Sequence, residues 1–323
     1  MTDTTATPIE ALQDKEPQKP PRSRSKDIWD QFTKHKGAIL GLGFLVFITL
    51  AVLIGPLLWT ADPQKIDIRN KDMRPIYVAL WDSDAKTGWN KPLGSDQLGR
   101  DQLAQMLSGG QVSLAVGWAA MLLSLIIGTA VGVAAGFFKR LDGPLMRLTD
   151  LFLSLPLLPL LLVAVTLFRQ PLRAAFGTEG GMFILIVAVV GITSWMPTAR
   201  IVRGDILAIK EREFVLAARS IGTTNGKIIR RHLLPNVMSP IMVSAALGLA
   251  SAIITESALS FLGVGFPSDF PTWGKMLADA VIRMEEFPER VLLPGIAISL
   301  TVLSVNYLGD GLRDALDPRI RGR

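Results

Sequence analysis

"EREFVLAARSIGTTNGKIIRRHLLPN", residues 211–236, reads as two short amphipathic helices joined at Gly-Thr-Thr-Asn, and it is rich in Arg and Lys. On either side lie apolar runs long enough to cross a bilayer. About 20 mainly apolar residues are needed for a span, and six stretches qualify: Ala38–Leu58, Val112–Phe137, Leu145–Leu167, Met182–Ala199, Val237–Leu259 and Val291–Leu308. The basic stretch is therefore a helical projection from an all-α membrane protein of six transmembrane helices. Pro156 and Pro159 predict a kink in the third span. Gly128, Gly132 and Gly136 in the second form a small-residue ladder that lets helix backbones approach.

Composition agrees with this reading. The 323 residues are 49% hydrophobic and 19% charged; a soluble domain of this size could match the apolar fraction, but not its clustering into long runs. With no Cys and only His35 and His232, a disulfide framework, a thiolate metal site and a Cys nucleophile are excluded. The net charge of +6 is read as topology rather than as a sign of nucleic acid.

Six spans put both termini on one side. The segments on that side (1–37, 138–148, 200–235 and the tail after Asp310) hold 22 of the 34 Lys and Arg residues. The opposite segments (60–111, 168–181 and 263–290) hold 12. The excess places the termini and 211–236 in the cytoplasm. The chain then divides into a cytoplasmic tail 1–37, a first span with outer loop 38–110, a permease domain 111–310 and a second cytoplasmic tail 311–323. The first 26 residues are polar and Pro-rich, a disordered tail rather than a cleavable signal. In "KDIWDQFTKHK", Ile28, Trp29 and Phe32 share one helical face, as in a short helix on the membrane surface.

Catalytic machinery is not visible. "GTTNGKI" has three residues between its glycines where a phosphate loop needs four, and Ile follows its Lys. Ser-His-Asp sets, HExxH and paired intramembrane carboxylates are missing too, so the chain reads as a non-enzyme. Glu256 is an ionisable residue within a span and so a functional candidate by default. Packing or anchoring near the outer end of its helix is favoured over a place on the substrate path.

Within 211–236, Phe214, Ala217, Ala218 and Ile221 follow the spacing of one helical face. Gly222 takes the left-handed geometry that ends a helix, and Thr223, Thr224 and Asn225 cap the next. Here the chain resembles the permeases of binding-protein-dependent ABC importers. Their loop signature is Glu-Ala-Ala, three residues, Gly, nine residues, Ile, one residue, Leu-Pro. Ala217, Ala218, Gly222, Leu234 and Pro235 are in register, while Leu216 stands for the Glu and His232 for the Ile. Glu213, one turn earlier, is the candidate substitute for the acid. "KPLGSDQLGRDQLAQMLSGGQVSLAVG" (91–117), "ESALSFLGVGFPSDFPTWGKMLADA" (256–280) and "GDGLRDALDPRIRGR" (309–323) are similar to the C-type subunit of peptide and nickel importers.

The resemblance implies a type I ABC importer transmembrane fold in a bacterial inner membrane. It also implies four partners: a second permease subunit, two cytoplasmic ATP-binding cassette subunits and an extracytoplasmic solute-binding protein. The permease has no cofactor of its own, ATP and Mg being held by the ATPases. Glu213, Ala217, Ala218, Arg219, Gly222 and Pro235 become the ATPase-coupling set, and short peptides the main substrate. Nickel, glutathione or another small solute is the rival within the class. An ion-coupled secondary transporter or a membrane scaffold are the readings outside it. Lipid contact or topology alone accounts for Lys227, Arg230 and Arg231, but not for Ala-Ala and Gly at this spacing.

Overall fold

A computed structural model describes residues 24–80, 82–267 and 269–316, and it is helical almost throughout. The first 23 residues and the last seven, including most of the sequence-assigned tails, lie outside the described residues. Helix α1 (Arg24–Lys34) leads into α2 (Lys36–Leu58), which starts where His35 accepts a hydrogen bond from Ala38 N at 3.0 Å. Helix α3 (Gln102–Phe137) is 36 residues long, capped by Asp101, which accepts from Leu103 N and Ala104 N. It begins ten residues before the expected second span. Gln102, Gln105 and Gln111 are polar, so hydropathy does not register this first part of the helix, which projects beyond the apolar belt.

The expected third span is two helices. Helix α4 (Lys139–Ser154) ends at Leu155, and α5 (Leu157–Phe176) begins beyond Pro156. Proline disfavours helical geometry in the residue before it, and Leu155 is extended, with φ −78° and ψ 138°. The chain breaks there rather than kinking, while Pro159 falls harmlessly in the first turn of α5. The apolar span is α5; α4 is amphipathic. The expected fourth span is also broken. Helix α6 (Thr178–Ile192) meets α7 (Met196–Ile209) at 43° across a three-residue gap, with Pro197 at the start of α7. α7 runs ten residues past the expected boundary at Ala199.

Helix α10 (Met238–Phe261) and helix α12 (Pro288–Leu316) match the last two spans, with the short α11 (Trp273–Val281) between them. Counting α6–α7 as one bent span, six crossings result: α2, α3, α5, α6–α7, α10 and α12. Two buried clusters hold them together. One joins α5 and α6 to α3 and α10 through Leu161, Val165, Ile186 and Leu259. The other joins α2, α3, α10 and α12 around Leu45, Leu249, Val305 and Trp273. Phe32 of α1 shares a small cluster with Ala38 and Ala315, so both described ends of the chain meet at one end of the bundle, the near end. Phe32 and Ile28 therefore face α12, and of the three aromatic and aliphatic residues expected on one surface only Trp29 is exposed.

The closest seam is between α3 and α7. A Cβ on Gly128, Gly132 or Gly136 would lie 2.7 Å from Trp195 O, Ala199 O or Ile206 Cβ respectively. Gly132→Leu is expected to force the helices apart, since a backbone carbonyl cannot yield as a side chain can. Overpacking of this kind costs about 1–3 kcal/mol. A clearly lowered unfolding midpoint in detergent is expected, with Gly43→Ala, which meets open space, unchanged. Equal midpoints for both variants would show that the seam is not tight.

Candidate functional site

The 211–236 projection is built locally. Helix α8 (Glu213–Ser220) starts at Arg212, whose carbonyl accepts from Val215 N and Leu216 N. An acid at its first turn and Arg219 at its last complement the helix dipole. It ends at Gly222, where φ is +78°, and the reversal is closed by Thr223 N donating to Ala218 O at 3.1 Å. This is the 6→1 bond of a glycine-terminated helix. Thr224 begins the next helix through its backbone carbonyl, which accepts from Lys227 N and Ile228 N; its side chain makes no cap. The expected side-chain capping by Thr223, Thr224 and Asn225 is thus replaced by backbone bonds. The chain stays helical from Asn225 to Asn236, including α9 (Asn225–Ile228), with a widened turn over Ile229–Leu233. Pro235 explains that widening, having no N–H for the carbonyl four residues back.

The helix faces are not those expected. Val215 and Ala218 are buried, packed in one cluster with Ile228, Leu233, Val202 and Ile206. Phe214 (44% exposed), Leu216 (42%) and Ile221 (82%) face outward with Ala217. Ala217 and Ala218 are adjacent, about 100° apart on a helix, and the boundary between the outward and inward sides falls between them. The β-branched Val215 fills the space under Ile228 and Leu233, and that tertiary fit decides which side turns in. Of the coupling set, Ala218 is buried, while Glu213 and Ala217 are exposed one turn apart. Arg219 lies over the Phe137 ring at 5.9 Å, tying α8 to the end of α3. Pro235 is exposed at the base of the projection. His232, where the signature has Ile, sets its ring 6.3 Å from that of Phe214.

Neighbouring contacts stiffen the base. Lys210 Nζ donates to Gly136 O at 2.9 Å, and Arg203 binds Asp142 of α4 with one bond at 2.8 Å. That guanidinium holds the Asp142 carboxyl below its ordinary range. Arg200 pairs with Asp150 in the same helix pair.

Glu256 is elsewhere. It is about 27 Å along α10 from Met238 by helical rise, at the far end of the bundle, and is 0% exposed. Ser260 Oγ donates to its Oε1 at 2.8 Å, while Oε2 has no partner. The hydroxyls of Ser113 from α3, Thr272 at the head of α11 and Ser257 surround it. Trp273 seals the cluster, its backbone N donating to Ser113 Oγ and its ring N–H to Met106 O. The residue is enclosed between α3, α10 and α11 rather than reaching water, an arrangement suited to packing.

Sequence reasoning missed two features at the far end. Residues 59–80 and 82–101 form a folded cap, not a plain loop. Trp59 Nε1 donates to Asp101 at 2.9 Å, Lys91 pairs with Asp67 at 3.1 Å, and Arg283 and Arg290 both bind Asp72. Hydrogen bonds from Asn70 and Lys91 bring Asp67 down to about 2. Burial works against the Asp72 charge, yet its two arginines hold it below the usual range. A cavity of about 470 Å³ opens between this cap and α11, lined by Asp96, Arg100, Gln102, Lys275 and Arg290 among others. The second feature is a pair of arginines, Arg169 and Arg173, inside α5. The apolar run stopped at Leu167 because of them; the four-residue spacing in "FRQPLR" was the available signal.

Known proteins match this chain over most of its length. Residues 124–322 match the family model described as binding-protein-dependent transport system inner membrane component. Residues 23–75 match the N-terminal TM domain of oligopeptide transport permease C. The chain is 36% identical over 297 residues to the di/tripeptide transport system permease protein DppC of Pseudomonas aeruginosa, covering 92% of each. It is 35% identical to the oligopeptide transport system permease protein OppC of Bacillus subtilis, covering 92% of this chain and 90% of that one. Its fold is shared with the inward-facing MetNI methionine ABC transporter, with TM-score 0.53, 16% identity and coverage of 66% of this chain and 97% of the other. That is the type I importer architecture that the resemblance of the 211–236 loop implied. The chain belongs to the family of binding-protein-dependent transport system inner membrane components.

Proposed function

We propose that this chain is the permease subunit of an ATP-driven importer for short peptides in a bacterial inner membrane. It pairs with a second permease subunit to enclose the translocation path. Two ATP-binding cassette subunits, which hold ATP and Mg, dock on the near end, the cytoplasmic one. An extracytoplasmic binding protein delivers the peptide to the far end. The observation that carries this reading is α8: one side locked into the bundle, and an exposed apolar strip of Phe214, Ala217 and Ile221 on the outside, with Leu216 exposed farther round the helix. A soluble-facing strip of this kind calls for a partner, and its Ala217, Ala218 and Gly222 stand in the family's coupling register. The relatives' names, dipeptide and oligopeptide permease, support peptides over nickel or glutathione.

Coupling then follows from mechanics. ATP binding closes the cassettes, and α8 moves with the groove that holds it. Val215 and Ala218 pass the motion to α7 and α10 through Val202, Ile206 and Ile241, which share their cluster. Glu213, exposed one turn before Ala217, replaces the acid that Leu216 lacks.

Three outcomes test this. Ile221→Glu should leave the fold intact, because the side chain is 82% exposed. Burying such a side chain is worth roughly 1.5–3 kcal/mol, so cassette binding should weaken about ten- to hundredfold; unchanged co-purification would count against docking here. Gly222→Asp puts a Cβ and a charge onto φ +78°, a conformation that costs most L-residues about 1–2 kcal/mol and Asp less. Open space surrounds it, so the variant should insert normally yet lose transport, and normal uptake would refute the role of the turn. Uptake of labelled di- and tripeptides should vanish both on deletion of the chain and with hydrolysis-dead cassettes. Persistence with dead cassettes would point to ion coupling, and loss of neither would move the substrate to another solute.

A further inference from the structure

Arg169 and Arg173 are four residues apart in α5, so they rise from one face of the helix, a turn apart. By helical rise Arg169 is ~18 Å from the start of α5, within a segment apolar enough to span the bilayer. The pair lies toward the far end of that segment, and cations turned inward in a span are normally paired with a partner. Two like charges a turn apart add repulsion. Yet neither has a carboxylate in ion-pair range among the described residues.

Snorkelling to lipid headgroups is the plain alternative, and the geometry opposes it. Arg169 Nη2 donates to the carbonyl of Val264, which holds the guanidinium against the turn after α10. The Nε of each arginine is buried and without a partner. Both side chains are half-buried, while Leu167, Phe168 and Phe176 on the same helix are exposed. The helix thus shows lipid-like surface and, beside it, two guanidiniums drawn inward with donors to spare.

Adjacent guanidiniums with free N–H groups fit a carboxylate better than any other anion of a peptide. Every unmodified peptide carries one at its C-terminus, whatever its side chains. We propose that Arg169 and Arg173 are the permease's own clamp for the free C-terminal carboxylate of the transported peptide. This rests on the peptide-import reading above. It gives the permease a way to hold cargo handed over by the binding protein while remaining indifferent to sequence, since the contact lies on the one negative charge all such peptides share.

The test is uptake of trialanine and trialanine amide by the complete transporter in proteoliposomes, with saturating binding protein throughout. The wild type should favour the free acid, and Arg169→Gln/Arg173→Gln should shrink that preference at least tenfold. Arg173→Gln alone, which disturbs no ion pair, should shrink it several-fold, and Arg173→Lys should restore part of it. Equal loss of both peptides in the variants would overturn the proposal, as a lipid phosphate or a partner acid would then be what the arginines hold. An unchanged preference would overturn it too. If the wild type takes up neither peptide, the peptide reading itself fails; uptake of both with an unaltered ratio in the variants removes only the clamp.

Discussion

Everything in this chain hangs on how closely α3 lies against its neighbours. In lipid, apolar side chains gain nothing by leaving the solvent, so helices associate through close packing and shared hydrogen bonds. The glycines at 128, 132 and 136 bring the α7 backbone to within a missing Cβ of α3. At its far end α3 starts on Asp101, which also receives Trp59, and contributes Ser113 to the hydroxyl ring around Glu256. At its near end it presents Phe137 to Arg219 and the Gly136 carbonyl to Lys210. One helix thereby spans the distance between the folded cap and the projection.

That continuity explains why α8 can be short. Eight residues make a helix that would not persist alone in water. Its stability comes from Val215 and Ala218 seated on Ile228 and Leu233, and from the Gly222 reversal that returns the chain at once to the bundle. Because the anchor is on one face, the other is free for a partner without any cost in fold. A loop could carry the same side chains but would absorb motion; a helix locked at both ends passes it on.

The sequence was most legible where a pattern is long and self-contained. Apolar runs gave the number of crossings, and the glycine ladder gave the seam, because each depends on one helix's own residues. Boundaries failed where polar residues continue a helix past its apolar part, as at Gln102–Gln111, or where prolines cut one, as at Pro156 and Pro197. The inward face of α8 could not be read from eight residues, since Phe214, Ala217 and Ile221 match helical spacing as well as Val215 and Ala218 do. Only Ile228 and Leu233, brought back by the turn, break the tie. The cap was hidden for a different reason: Asp72 finds Arg283 and Arg290 more than 200 residues later.

The two departures from the loop signature are intelligible together. Leu216 replaces an acid and His232 replaces an isoleucine, so the outer side of α8 loses a charge while the base gains a polar ring. His232 is not stranded by this, because it is only half-buried and its ring meets that of Phe214. Phe214 is exposed on the same side as Ile221, while Leu216, at the position of the acid, is exposed about 160° round the helix from Phe214. In the docking proposed above, burial of these apolar side chains would add to the acid that Glu213 supplies. Burial is less direction-dependent than an ion pair and is not screened by salt. In the coupling role proposed for α8, such a helix relies on shape, and shape is what the Val215–Ala218 anchor and the Gly222 turn fix.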